Sequence, residues 1–407
     1  MLRINADRLH RRLDELAAIG ALDNEGVRRL AFSKADKAGR DYVEEHLRAL
    51  GLDIRIDALG NIAGIRAGAA DAPAVLVGSH TDSVGRAGRF DGALGVLAGL
   101  EALETLDDAG VTTRRPVGLV SFVNEEGNRF APGIMGSTYV AGGLSLEAAR
   151  RSTGTDGVQL GDALDATGMA GPDDLRALDV AAFVELHIEQ GPILEEAGTT
   201  IGVVETVQGI DWHQITLRGE SNHAGVTPMD ARHDAGYVAA AIAEHVRTLG
   251  RTIDRQRATV GALSVEPGFT NIIPDRATLR IDLRNPDADR LRQARTELLD
   301  FARAAARAEG VELSHEELSW IDPVRFDDAV VGAVEDAAET LDYSHQRMVS
   351  GAGHDAQQMA AVAPSAMLFV PSVGGISHNP DEYTRPEDVE AGANVLLHAL
   401  LSLAETA

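Results

Sequence analysis

The chain has 407 residues, enough for two or three domains and for a core that folds without a disulfide or metal staple. Its 44% hydrophobic and 25% charged residues are those of an ordinary globular protein, which excludes collagen-like, coiled-coil and largely disordered chains. A net charge of −26, from 63 acidic and 37 basic residues, repels phosphate backbones and anionic lipid, so neither nucleic acid nor a membrane is expected as a partner. Cysteine is absent, which removes disulfides, thiolate metal sites and cysteine nucleophiles together. The opening MLRINADRLHRRLDEL lacks the apolar run of a secretory signal, and no stretch approaches the roughly 18 apolar residues of a membrane span. A cytoplasmic protein is expected, and any metal site must be built from His, Asp and Glu.

Residues 5–50 carry apolar positions at helical spacing, closed by Gly51. Short β-like runs follow at 52–56 and 61–65, then a continuous apolar run at 74–78 that leads into Ser79-His80-Thr81-Asp82. Such a run is what a strand buried on both faces looks like. A helix is predicted over 92–106. Buried strands are predicted at 116–123, ending in Asn124-Glu125-Glu126-Gly127, and at 181–186, ending in His187-Ile188-Glu189-Gln190-Gly191. Alternating strands and helices predict an α/β domain, a central mixed sheet flanked by helices, and in such sheets ligands bind at the carboxyl ends of strands. Residues 152–173 and the Asp71-Ala72-Pro73 stretch read as surface loops.

From about Val207 the texture changes to strands at 212–219, 259–265 and 277–283 and helices at 234–249 and 289–309. This order predicts a small α+β unit, 208–325, inserted in a catalytic domain made of 1–207 and 326–407. After Pro323 come a helix at 328–341, a buried strand at 366–370 and a closing helix at 387–404. The acidic pairs Asp173-Asp174 and Glu195-Glu196 read as solvated faces. The helix at 234–249 reads as packing against a sheet or a second copy.

Ligand-type residues crowd the predicted strand ends: His80, Asp82 and Asp91 near the first, Glu125 and Glu126 after the second, His187 at the third, and His378 after the last. Alone, each has an ordinary structural reading, as a hydrogen-bonded histidine, a solvated Glu-Glu turn or an N-cap aspartate. Together they match the nitrogen and oxygen ligands that Zn²⁺ or Mn²⁺ takes without thiolate, and a shared carboxylate could bridge two ions. Adjacent strand residues point to opposite faces, so the Glu125–Glu126 pair must lie where the backbone turns. Asp82 reads as an outer group that holds the His80 imidazole.

Several segments carry a resemblance: GSHTDSV (78–84), GRFDGALGVLAGLEAL (88–103), SFVNEEGNRF (121–130), ELHIEQGPILE (185–195), SNHAGVTPM (221–229), GFTNIIPDRATLRIDLRNPD (268–287), SGAGHDAQQMA (350–360) and VPSVGGISHNPDEYT (370–384). The chain resembles, over nearly its whole length, metal-dependent amidohydrolases of the M20 peptidase clan. Within that clan it resembles the branch of N-carbamoyl-L-amino-acid hydrolases, allantoate amidohydrolases and β-ureidopropionases. The resemblance implies two divalent ions per subunit, Zn²⁺ first, with Mn²⁺, Co²⁺ or Ni²⁺ as alternatives. Asp91 would bridge them, His80 and His187 would hold one, and Glu126 and His378 the other.

By the same resemblance Glu125 is the general base toward a water between the metals. His223 stabilises the oxyanion in the site of the other subunit, and Asn271 and Arg284 bind the substrate carboxylate. Gln190, Gly351 and Gly353 also contact substrate. Arg284 has a plainer reading as a strand-end arginine paired with Asp282 or Asp287, and His354 and Asp355 read equally as helix-start polar residues or as outer groups that support the metal ligands. His213, His233 and His245 read as structural. The expected reaction is hydrolysis of a ureido carbon–nitrogen bond in an N-carbamoyl-L-amino acid, giving amino acid, CO₂ and NH₃, by a homodimer whose inserted domain supplies the interface and a lid. Allantoate is the alternative substrate; a peptidase or aminoacylase, or a non-catalytic ureide-binding protein, are more distant readings.

Overall fold

The structure is a computed structural model that describes residues 1–23 and 26–405. The chain divides into two compact units, residues 1–205 with 326–407, and residues 206–325. In chain order the strands among the described residues are β1 (Asp53–Ile56), β2 (Ile62–Arg66), β3 (Ala74–His80), β4 (Val117–Phe122), β5 (Val180–Ile188), β6 (Ile201–Val207) and β7 (Gly209–Arg218). They continue with β8 (Arg257–Glu266), β9 (Arg276–Asn285), β10 (Glu312–Ile321), β11 (Val324–Arg325), β12 (His345–Ser350) and β13 (Ser365–Val370).

The larger sheet runs β1-β2-β4-β3-β5-β13-β6-β11, with β12 on β6. Its centre, β4-β3-β5-β13, is parallel, and antiparallel pairs flank it on both sides. Every residue of β3, β4 and β13 is buried, which is why these strands read as unbroken apolar runs rather than alternating ones. The helix Ala93–Asp108 is buried around nearly its whole circumference and packs on β3, β4 and β5; the closing helix Pro386–Glu405 packs on β13, β5 and β3. Because the central strands are parallel, their carboxyl ends emerge on one rim. His80, the Asn124–Glu126 turn, His187 and the loop after Val370 all lie there.

Residues 5–50 form two helices, Ala6–Ala18 and Lys34–Ala49, the second capped by the Ser33 side chain on the Asp36 N–H. Residues 152–173 are not all loop. Leu160–Thr167 is a helix whose Leu160 and Leu164 join a core of Phe32, Leu59 and Phe130. It has no side-chain cap at Gln159 and only eight residues, so the sequence carries no start signal for it. The acidic pairs are also more than solvated faces. Asp173 accepts the Ile56 N–H, Asp174 caps a short turn, and Glu195 accepts the Gly374 N–H and pairs with Arg385.

The smaller unit carries an antiparallel sheet in the order β10-β7-β9-β8. Alternate residues of β7 and β9 (Ile215, Leu217, Leu279, Ile281, Leu283) face the helices Ala235–Thr252 and Ala288–Glu309 and form its core with Val238, Ile242, Leu291 and Leu298. Strand β10, ELSHEELSWI, has no counterpart among the elements expected from sequence. It is an edge strand with a bulge between Glu317 and Ser319, and its charges guard that edge while masking the apolar alternation. Strands β6 and β12 were likewise not expected from the sequence pattern.

Candidate metal centre

Asp91 stands at the middle of the rim. Its Oδ1 lies 3.1 Å from His187 Nε2 and 3.6 Å from His80 Nε2, while its Oδ2 lies 3.4 Å from His378 Nε2. Glu126 Oε2 is 3.3 Å from the same His378 nitrogen. Two ligand groups result, His80–Asp91–His187 and Asp91–Glu126–His378, each with its donor atoms within 4.8 Å of one another and with Asp91 common to both. The backbone makes room for this. Gly92 follows Asp91 at φ +63°, and a Cβ there would sit 2.3 Å from the His80 ring.

The histidine tautomers suit metal binding. His80 Nδ1 bonds the Asp82 main-chain oxygen at 3.0 Å and His187 Nδ1 the Ile188 oxygen at 2.9 Å, so each Nδ1 carries the proton and each Nε2 lone pair faces Asp91. Burial pushes His80 down to about 4, which keeps it neutral. Burial also opposes charge on His187, but Asp91 outweighs it and raises that imidazole to about 9. Around Asp91 burial favours the neutral acid, yet His187, His378 and His80 hold its carboxyl well below the usual range. Glu125 and Glu126 are pushed well above theirs, by burial first and then by neighbouring carboxylates, Asp355 beside Glu125 and Asp91 beside Glu126.

Buried carboxylates in this number call for cations that the chain's own side chains do not supply. His80 Nε2 and Glu126 Oε1 are buried and meet no hydrogen-bond partner. The residues therefore fit divalent metal: hard oxygen and imidazole donors, correctly oriented, with ligating atoms left unsatisfied.

Glu125 lies beside the two groups, its Oε2 3.6 Å from His80 Nε2. The Glu-Glu pair follows β4 in a turn opened by Asn124 at φ +51°, with the Asn124 amide held by the Phe130 and Pro132 oxygens. Asp82 touches the His80 imidazole and a second group besides. Its main-chain oxygen holds His80, whereas its carboxylate accepts the Glu125 N–H at 3.1 Å and the Glu126 N–H at 3.3 Å. Gln190 and His378 also stand in left-handed backbone, at φ +59° and +54°, so strain gathers around this rim. Gln190 Nε2 donates to Asp91 Oδ2 at 2.8 Å.

Behind the histidines lies a buried layer that sequence reasoning left undecided or missed. The His354 ring packs on His187 at 4.5 Å and Phe369 at 5.5 Å, and its Nε2 is 3.0 Å from Ser350 Oγ. Asp355 accepts from Ser137 Oγ, and Glu185 accepts from Ser79 Oγ and the Ala356 N–H. Both His354 and Asp355 are buried, so they are more than polar residues starting a helix. The loop that carries Gly351 and Gly353 leads into this pair, with Gly351 exposed and Gly353 half-buried. Ser377 and Glu382, also missed, touch the Asp91 turn; the only sequence signal for them is their place beside His378 in the GISHNPDE run.

In the smaller unit His223 is exposed and its Nδ1 accepts the Gly225 N–H at 3.0 Å, which leaves the proton on Nε2. The Ala224 N–H bonds the main-chain oxygen of Asn271, and His223 bridges Ile272, so the structure brings these two segments together. Arg284 is half-buried and pairs with Asp282 at 2.9 Å, the plainer of its two readings. His213 is buried between Asp211 and His315, His233 bonds the Glu309 oxygen, and His245 stacks on Phe301. No helix among the described residues is long and apolar enough to cross a membrane.

Residues 76–402 match the family described as peptidase family M20/M25/M40. An N-carbamoyl-L-amino-acid amidohydrolase of Rhizobium meliloti is 41% identical, over 99% of this chain and 97% of its own. An allantoate amidohydrolase of Bacillus subtilis is 35% identical over 96% of each chain. The crystal structure of an amidase of the hydantoinase/carbamoylase family from Burkholderia multivorans superposes with a TM-score of 0.95 at 44% identity, covering 100% of this chain and 99% of that one. With a family match over most of its length and relatives that align end to end, this chain belongs to peptidase family M20/M25/M40.

Proposed function

We propose that the protein is a metal-dependent amidohydrolase that cleaves a ureido carbon–nitrogen bond, with N-carbamoyl-L-amino acids as substrates. The observation that carries this is Asp91, a buried carboxylate whose two oxygens face two separate ligand groups with Glu125 alongside. The end-to-end similarity to an N-carbamoyl-L-amino-acid amidohydrolase supplies the substrate class. His80 and His187 would hold one divalent ion, Glu126 and His378 a second, and Asp91 both; Zn²⁺ suits this donor set, and Mn²⁺, Co²⁺ or Ni²⁺ would also be accepted. Ions held there supply Lewis acidity, polarising the ureido carbonyl and making water more acidic.

The chain's own groups then divide the work. Glu125, kept off the ligand set, takes a proton from the attacking water and passes it to the leaving nitrogen. Gln190 and the Gly351–Ala352–Gly353 backbone border the substrate. His223, with its proton on Nε2, donates to the developing oxyanion. Arg284 exchanges Asp282 for the substrate carboxylate, which its planar fork meets bidentately, and Asn271 assists. Water adds to the carbamoyl carbon and one C–N bond breaks, releasing one nitrogen and leaving a carbamate; loss of CO₂ from that carbamate breaks the second C–N bond, so that amino acid, CO₂ and NH₃ are the final products.

His223 acts on the site of a second copy, so the working form is a homodimer, and its place is the cytoplasm. Exposed Leu263 and Val265 on edge strand β8 support a partner on residues 208–325, the segment proposed as dimerisation and lid domain. Allantoate, a ureide that also carries a carboxylate, is the second reading, favoured by the similarity to the Bacillus subtilis enzyme.

The test is ammonia release from N-carbamoyl-L-amino acids, N-carbamoyl-β-alanine and allantoate with each of Zn²⁺, Mn²⁺, Co²⁺ and Ni²⁺. Turnover of the carbamoyl-L-amino acids above the others is expected. A uniformly inactive panel refutes the ureido reading.

A further inference from the structure

Glu382 lies four residues beyond His378 and is buried, at 5% exposure. Its Oε1 accepts the main-chain N–H of Phe90 at 3.0 Å and of Asp91 at 3.1 Å, across 291 residues of sequence in the second case. Its Oε2 is 3.1 Å from Ser377 Oγ, the hydroxyl that also lies 2.9 Å from Asp91 Oδ2. The carboxylate thus ties the turn that presents Asp91 to the loop that presents His378. Neither segment is regular structure. Asp91 sits in a turn before a helix, and His378 is held in left-handed backbone at φ +54°. Left to local preference, each would move independently of the other.

The contact is built rather than incidental. A Cβ on Gly88 would lie 2.3 Å from the Glu382 Cβ and 2.5 Å from its Oε1, so glycine at 88 is what admits the carboxylate. Phe90 and Tyr383 pack edge to face at 6.2 Å beside it.

We infer that Glu382 is a positioning residue for the second ligand group, fixing Asp91 and His378 at the separation that lets both hold one ion with Glu126. His80 and His187 stand on β3 and β5 and need no such tie, so the first group keeps two of its ligands on rigid strands whatever happens at Glu382. This rests on the two-ion reading given above.

The experiment is metal stoichiometry and affinity, measured on wild-type, Glu382→Ala, Glu382→Gln and Gly88→Ala proteins equilibrated with chelator-buffered Zn²⁺ and analysed for zinc by mass spectrometry. Wild type is expected to hold two ions per chain. Glu382→Ala should hold one at the same free zinc, with the affinity of the second weakened about 10- to 100-fold, the usual effect of removing an outer-sphere partner. Glu382→Gln keeps an acceptor for the two N–H groups and can donate to Ser377, so it should restore most of the second site. Gly88→Ala displaces the carboxylate without touching a ligand and should copy Glu382→Ala, which keeps the test open if the latter fails to fold. Retention of both ions at wild-type affinity in both alanine variants overturns the assignment. So does loss of both ions in parallel, which would mark a general structural role. A wild-type protein that binds only one ion refutes the two-ion reading instead, and substrate preference does not enter the measurement.

Discussion

Replacing Asp82 with Asn removes charge from the group that holds the Glu125–Glu126 turn, while its volume and main chain stay the same. Asp82 is 2% exposed, and its two oxygens accept the N–H groups of Glu125 and Glu126. Asparagine offers one neutral acceptor and points an NH₂ group at the other N–H. A hydrogen bond to a charged group contributes about 1.5–3 kcal/mol and a neutral one about 1 kcal/mol, so one bond is weakened and the other replaced by opposed donors, at a total of about 2–4 kcal/mol. If that loss falls on the placement of Glu125, kcat/KM drops about 30- to 1,000-fold at 1.36 kcal/mol per decade. The ion held by His80 and His187 should be retained, because His80 Nδ1 is held by the Asp82 main-chain oxygen, which the substitution keeps, whereas the ion held by Glu126 shares in the loosening of the turn. The assay is steady-state ammonia release with zinc content measured on the same sample. Wild-type kcat/KM refutes the reasoning. A loss of activity matched by loss of both ions refutes it too, since Asp82 would then act through its neighbour His80.

Other expectations concern different parts of the molecule. Glu125→Gln should lower kcat about 10²- to 10⁴-fold with metal content retained, the range that general acid–base groups contribute; near wild-type turnover would remove Glu125 from the mechanism. Glu101 is fully buried and joins Arg8 and Arg12 of the first helix to the helix Ala93–Asp108; Glu101→Ala removes one shared partner from these two guanidinium groups and leaves them to Glu104 and Asp108. A loss of about 1.5–3 kcal/mol is expected, that of a hydrogen bond to a charged group, read as faster amide hydrogen exchange across Ala6–Ala18, and unchanged exchange there would contradict it. Burial, helped by Glu387 and Glu195, pushes the Asp388 carboxyl up to about 6 from its ordinary 3.8 against the pull of Arg385 at 3.9 Å. A carboxyl raised in the folded state binds its proton more tightly there, so its contribution to stability falls as pH rises from about 4 to about 6 and stays low above that. Asp388→Asn should therefore stabilise the protein at pH 8 by about 1–3 kcal/mol, with the gain vanishing near pH 4. Thermal melts across that range decide it, and a variant that is less stable at pH 8 would overturn the reasoning.

Much of the larger unit's sheet is legible in the chain because burial on both faces leaves nothing but apolar residues. The runs at 74–78, 116–123 and 366–370 announce β3, β4 and β13 directly. Strand β10 is not legible, since an edge strand protected by charge looks like a solvated segment, and the short helix Leu160–Thr167 lacks the cap that would mark its start. Arg284 is a different case. Its sequence context allowed a surface pair or a carboxylate clamp, and it is the pair with Asp282 that stands in the structure.

By itself the sequence determined the chemistry available to this protein. With no cysteine, metal must be met by His, Asp and Glu, and those residue types stand where apolar strands end. What only the tertiary structure decided is how they share the work. Asp91 has one oxygen toward His80 and His187 and the other toward His378, Asp82 holds the Glu-Glu turn as well as the His80 imidazole, and Glu382 joins two loops nearly 300 residues apart. The physical reason is range. Hydrophobic burial leaves its pattern on consecutive residues, whereas a carboxylate's partners are chosen by distances of a few ångströms between segments that meet only when the sheet is assembled.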